Sequence, residues 1–123
     1  MQDNIVDIMI NVYEEVRPWG KFEKFVENQK CTVKLLHLNP ESQTSLQFHH
    51  KREEWWKLIK GSIYVELDGE KKTLKANDTI HIPKGSKHRV INLESPSTIL
   101  EISFGEFDEL DIVRIEDIYN RNS

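Results

Sequence analysis

Between Thr32 and Phe104, short runs of alternating or continuous apolar residues recur, each closed by turn-forming residues. Thr32–Leu38 ends at Asn39-Pro40-Glu41-Ser42, Trp55–Ile59 runs into Lys60-Gly61, and Ser62–Leu67 runs into Asp68-Gly69. Thr79–Ile82 is stopped by Pro83-Lys84-Gly85, Arg89–Leu93 by Ser95-Pro96, and Thr98–Phe104 by Gly105. Several short strands at this spacing predict an all-β sandwich or barrel. Asp68-Gly69 between Leu67 and Glu70 marks a hairpin, because both turn positions tolerate positive φ. No stretch between Arg17 and Gly105 sustains a helical repeat. At the N-terminus, Ile5, Ile8, Met9 and Val12 suit a short amphipathic helix, while Ile8–Val16 reads equally as a strand. At the other end, Ile112, Ile115 and Tyr119 have helical spacing, which predicts a helical turn within Asp111–Tyr119. Residues 1–16 are read as an N-terminal arm and 17–123 as one β-domain, with short extensions at both ends.

Composition narrows the function. Of 123 residues, 17 are Lys or Arg and 21 are Asp or Glu, a formal charge of −4. That balance lacks the basic footprint of a nucleic-acid binder, so cations for an anionic ligand must be gathered locally. The longest unbroken apolar run is Ile8-Met9-Ile10, against about 20 residues for a membrane helix, and no secretory pattern opens the chain. One cysteine, Cys31, excludes an intrachain disulfide and thiolate clusters. A cytoplasmic protein is expected, with no membrane or nucleic-acid partner. Its metal chemistry is left to His and carboxylate groups.

Two segments concentrate such groups: Gln47-Phe48-His49-His50-Lys51-Arg52-Glu53-Glu54, and Pro83-Lys84-Gly85-Ser86-Lys87-His88 with Asn92 beyond it. Alternate strand residues share a face, so Gln47 and His49 point together while Leu46 and Phe48 point away. Glu54 opens the next strand and His88 starts another, which lets Gln47, His49, Glu54 and His88 converge inside a barrel. That mixed N/O set suits one divalent transition metal with positions open to substrate. Lys34 shares parity with Leu36 and Leu38, and a buried ammonium needs a partner or a function. Glu101, in step with Ile99 and Ser103, is a candidate base or partner to Lys34. Arg52, Arg89 and Arg114 are candidate phosphate contacts, because guanidinium forks match phosphate oxygens. An ordinary surface salt bridge is the alternative for any one of them. His37, His50 and His81 read as structural. Trp55 and Trp56 face opposite ways, and one of them could wall a pocket.

These residues also carry a resemblance. Gln47-x-His49-x4-Glu54-x6-Gly61 resembles the first cupin motif with Gln in place of its first His. Pro83-x-Gly85-x2-His88-x3-Asn92 resembles the second, with Asn77 where that motif opens with Gly. Arg17-Pro18-Trp19-Gly20, His49-His50, Arg52, His88-Arg89 and Asp111-Ile112-Val113-Arg114 are similar to the C-terminal cupin domain of type II mannose-6-phosphate isomerases, from Arg17 to Arg121. The resemblance implies a jelly-roll barrel that uses a divalent metal to interconvert mannose 6-phosphate and fructose 6-phosphate. The implied ligands are Gln47, His49, Glu54 and His88. Zinc is the first expectation, with iron, manganese, cobalt and nickel as alternatives. Lys34, Glu101 and Arg89 are the catalytic candidates, and Arg52, Arg114 and Lys34 the substrate-binding ones. A homodimer is expected, since cupins commonly pair. The family's third His is Lys51 here and its last is Trp55, and either change at the pocket mouth would alter sugar preference or rate. Most relatives join this cupin to a nucleotidyltransferase domain too large for 123 residues, so guanylyltransferase activity is not expected. Kept beside this reading are a cupin glucose-6-phosphate isomerase, a non-catalytic sugar-binding cupin and a metal-dependent oxygenase.

Overall fold

Turn chemistry and strand alternation dictate most of what the computed structural model contains. It describes residues 10–108, 110–116 and 118, and among them there are strands and no helix. No helix of the described residues is therefore long and apolar enough to cross a membrane. Contacts divide the chain into two units, residues 1–30 and 31–123.

In the first unit, β1 (Tyr13–Arg17) pairs antiparallel with β2 (Gly20–Lys24). The expected end of the arm at residue 16 falls inside β1. The hairpin is held by side chains across its ladder: Lys21 Nζ donates to Glu14 at 2.6 Å and Lys24 Nζ sits over the Tyr13 ring at 5.1 Å. The helix considered over Ile5–Val12 lies mostly outside the described residues.

The second unit is two antiparallel sheets. One has the order β3-β10-β5-β8, from β3 (Thr32–Leu38), β10 (Ser97–Gly105), β5 (Arg52–Lys60) and β8 (Thr79–Ile82). The other has the order β11-β4-β9-β6-β7, from β11 (Val113–Glu116), β4 (Leu46–Phe48), β9 (His88–Asn92), β6 (Ser62–Leu67) and β7 (Glu70–Lys75). β3, β6 and β8 occupy the expected runs. The β6–β7 turn has positive φ at both Asp68 (49°) and Gly69 (87°), the primed geometry that matches strand twist.

Inward residues of both sheets form one core: Trp56, Leu58, Ile80, Ile82 and Ile99 from the first, Ile63, Val65, Leu74 and Val90 from the second. Gly61 is required between β5 and β6. Its φ is +101°, and a Cβ there would overlap the Ser97 side chain. Asn77, standing where a glycine was expected, adopts φ 78°, which asparagine tolerates better than most residues.

The helical turn expected over Asp111–Tyr119 is corrected. Val113–Glu116 is a strand, paired with β4 through Val113↔Phe48 and Arg114↔Gln47. The Ile112/Ile115 spacing fits a helix locally, but the backbone donors and acceptors of β4 lie alongside and the ladder takes precedence.

Candidate active site

The chemistry gathers where the two sheets face each other. On the five-stranded sheet, Gln47 of β4 pairs with His88 of β9, and His49 follows just beyond β4. Across the core, Glu54 lies third in β5. His49, Glu54 and His88 are all buried, and each offers one ligand atom such that all three atoms lie within 4.8 Å of one another.

The imidazoles are oriented in the same sense. His49 Nδ1 is 2.7 Å from the Asp111 carbonyl oxygen, and His88 Nδ1 is 2.9 Å from that of Ser86. A carbonyl only accepts, so each Nδ1 donates, which leaves Nε2 as the ring nitrogen for a ligand role; that of His49 lies 3.4 Å from Arg52 Nη2. Backbone-held histidines of this kind are the usual support of a metal ligand. Burial lowers the pKa of His49, which favours the neutral, ligating form. Glu54 is held as firmly: Trp56 Nε1 donates to its Oε1 at 2.9 Å and Arg52 Nε to its Oε2 at 3.1 Å. Gln47 gives its Nε2 hydrogens to Ser45 at 3.0 Å, which leaves its amide oxygen as an available acceptor. Two imidazoles, a carboxyl group and an amide oxygen form a donor set that fits a divalent transition ion.

Around these groups lies a cavity of about 330 Å3. Leu36, Trp56, Val90 and Ile112 give it apolar walls, and Lys34, Glu101, Arg52 and Arg114 supply charge. Glu101 sits opposite Lys34 in the β10–β3 ladder and opposite Trp56 in the β10–β5 ladder. It is 6% exposed and its pKa is pushed up to about 7, first by burial and then by the Glu54 charge, against the pull of Lys34 and Arg52. A carboxyl poised near neutrality can both take and return a proton.

Eight of the nine site residues expected from the sequence line this one cavity: Gln47, His49, Glu54, His88, Lys34, Arg52, Glu101 and Arg114. Arg89 does not. Next to His88 in β9 it faces the other side of the sheet, where Nε donates to Glu66 and an Nη to Glu116, both at 3.1 Å. Strand alternation is the reason: His88 and Arg89 cannot share a face. Arg52, expected on a phosphate, directs its Nε to Glu54 instead. Neither departure from the family pattern lines the cavity. Lys51 is exposed, 3.5 Å from Glu106, while Trp55 is buried on the face away from Glu54 and Trp56. His81 pairs with Glu53 at 2.6 Å and His37 lies 3.3 Å from Thr98, so neither joins the site.

Three further residues contribute, of which only Trp56, one of the two tryptophans considered for a pocket wall, had an assignment in sequence. Trp56 walls the cavity and braces Glu54. Asp111 holds His49 through its carbonyl, while its carboxylate accepts the N–H groups of His50 and Lys51, both at 2.9 Å. Phe107 lies against Lys34 and Arg52. Asp111 stood in the quoted Asp-Ile-Val-Arg run, which was a signal for it. Phe107 had none.

Comparison with known proteins bears on the family and the fold. The family model described as mannose-6-phosphate isomerase C-terminal matches residues 3–117. The mannose-1-phosphate guanylyltransferase ManC of Salmonella typhimurium is 36% identical over 110 residues, covering 88% of this chain and 23% of that protein. The chain spans about a quarter of the length of the curated relatives it matches. Among solved structures, the capsular polysaccharide assembling protein CapF of Staphylococcus aureus superposes with a TM-score of 0.65 at 17% identity, over 89% of this chain and 36% of that one. The cupin domain of Cnp3 from Schizosaccharomyces pombe does so with a TM-score of 0.60 at 11% identity, over 79% and 88%. At such identities the likeness is one of fold, and that fold is the cupin. By the span of the family match, the chain belongs to the mannose-6-phosphate isomerase C-terminal family.

Proposed function

We propose that this domain is a metal-dependent aldose–ketose isomerase acting on mannose 6-phosphate and fructose 6-phosphate. The observation that carries the reading is a single cavity. It joins a donor set suited to a divalent ion with a buried carboxyl poised near neutrality and with cations for an anionic substrate. His49, Glu54, His88 and Gln47 would hold the ion, with zinc the first candidate. Such an ion supplies Lewis acidity toward the sugar oxygens and so eases loss of a proton from carbon.

The remaining work falls to the chain. Moving the carbonyl from C1 to C2 requires the C2 proton to leave while O1 gains one, giving a C1–C2 enediol, and then a proton to return at C1 while O2 gives one up. Glu101 is the group assigned to take and return it, because burial raises its basicity without removing it from the cavity. Lys34, opposite it in the ladder, offers a hydrogen-bond donor toward the sugar oxygens. Arg114, projecting from β11 into the cavity, is the candidate fork for the phosphate. The apolar walls keep bulk water from the carbanion-like stage.

The test is turnover. Metal-stripped protein reloaded with zinc, iron, manganese, cobalt or nickel is given mannose 6-phosphate or glucose 6-phosphate, and fructose 6-phosphate is followed. Equal rates on both sugars would remove the mannose assignment. A second reading draws on the names of the relatives: a non-catalytic sugar-phosphate module serving a guanylyltransferase. Tight binding of mannose 6-phosphate without turnover by any metal form would favour it.

A further inference from the structure

The inward positions of β10 shrink toward its end, from Glu101 through Ser103 to Gly105. The flanking strands set Lys34 of β3 opposite Glu101, and Arg52 of β5 opposite Gly105. Two long cationic side chains therefore border a strip of sheet that offers little side chain of its own. Gly105 also turns the chain: its φ is +107°, and a Cβ there would strike the Lys51 carbonyl oxygen and crowd Arg52 Cα. Only glycine accepts both the conformation and the close approach. Two residues later, the Phe107 ring stands with its centroid 4.5 Å from Lys34 Nζ and 4.5 Å from Arg52 Cζ.

One ring thus serves two cations of the cavity wall. Two like charges repel, and both side chains are long enough to swing apart. The electron-rich ring face attracts each of them without using an N–H donor. Arg52 directs its own donors to Glu54 and, at 3.4 Å each, to the Asp108 carbonyl and His49 Nε2. Its charge is fixed by those bonds and by the ring together. We propose that Phe107 is a positioning residue of the cationic side of this cavity, holding the Lys34 head and the charge of Arg52 in place so that they add to Arg114 in drawing in the phosphate of a phosphorylated sugar. The proposal rests on the reading of the cavity as a sugar-phosphate site.

Calorimetric titration of the zinc-loaded full chain with inorganic phosphate, and separately with mannose 6-phosphate, tests it. Phe107→Leu keeps an apolar side chain and removes the ring, and Phe107→Tyr keeps the ring. The expected result is roughly tenfold weaker binding of both ligands to Phe107→Leu, the size of loss that two cation–π contacts allow. Phe107→Tyr should stay within about twofold of wild type, and zinc affinity, read by chelator competition, should be unchanged in both. Should Phe107→Leu fail to fold, Phe107→Met makes the same comparison. A double-mutant cycle adds a readout that mere packing would not move. In a Lys34→Gln background, Phe107→Leu should cost less than it does in wild type. Equal phosphate affinity in Phe107→Leu and wild type, a matching loss of zinc affinity, additive effects in the cycle, or no phosphate binding by wild type would each overturn the proposal. Ring-dependent phosphate binding without formation of fructose 6-phosphate would leave it standing and overturn the isomerase reading.

Discussion

Glu101 is the residue on which the proposed chemistry turns, and its pKa carries a consequence for stability. The folded value is about 7 against an ordinary 4.5, raised first by burial. Below about pH 4.5 the group is protonated folded or unfolded and costs nothing. As pH rises toward 7 the unfolded chain ionises more readily, so the folded state loses stability relative to it. At about 1.4 kcal/mol per unit, the loss is of order 3 kcal/mol once pH exceeds 7. Glu101→Gln carries no such penalty. Denaturant melts of the metal-free proteins should therefore show the variant gaining on wild type between pH 4.5 and 8, and turnover of the metal-loaded variant should be lowered by about 100-fold or more. A difference in stability that does not change with pH would contradict the assignment.

His49 and His88 make a separate expectation at the same scale. Each is fixed by a backbone carbonyl and presents one lone pair to the same point. His88→Ala should weaken zinc binding by at least about 100-fold in chelator competition, since it removes a ligand outright. Retained affinity would move the ion elsewhere.

Among the elements, the C-terminal stretch has the widest effect on the site. Asp111 orients His49 and ties down the His50–Lys51 turn, and the strand that follows brings Arg114 into the cavity. Burial raises the pKa of the Asp111 carboxyl, but the two backbone N–H donors outweigh it and leave the value lowered. Its contribution is thus present above about pH 4 and fades as pH falls through the lower folded value. Asp111→Ala leaves two N–H groups without acceptors, and we expect a loss of about 2–4 kcal/mol in a denaturant melt at pH 7. A loss below about 0.5 kcal/mol would mean that the turn holds itself.

How far such elements could be read in advance depended on where their partners lay. β6 and β7 were legible because hairpin, turn residues and alternation all sit within one stretch of chain. β11 was not. Its residues carry helical spacing, and the reason they form a strand is β4, which lies more than sixty residues earlier. The gathering of His49, Glu54 and His88 was legible because their spacing reflects a motif, while Phe107 was invisible. Its role depends on where Gly105 redirects the chain, and on Lys34 and Arg52 arriving from two different strands. Arg89 failed for a local reason that strand alternation already contained, since His88 beside it faces inward.

In the whole molecule, the ligand cluster joins the two sheets, His49 and His88 from one and Glu54 from the other. On the proposed function, a metal bound there would cross-link the layers as well as serve the reaction. Zinc at a hundredfold excess over its dissociation constant should stabilise the fold by about 2.7 kcal/mol, seen as a rise in Tm of several degrees. No rise would separate the cluster from metal binding.

The net charge of −4 gives an anionic sugar no general attraction to this protein, so on the proposed function recognition would come from the cavity itself. The most direct measurement of the central claim is fructose 6-phosphate formation from mannose 6-phosphate, by the full chain stripped of metal and then reloaded with one divalent ion at a time. The account predicts no turnover in the stripped protein, recovery on reloading, and loss of that recovery in Glu101→Gln. Absence of turnover with every ion, or full turnover in the stripped protein, would contradict it.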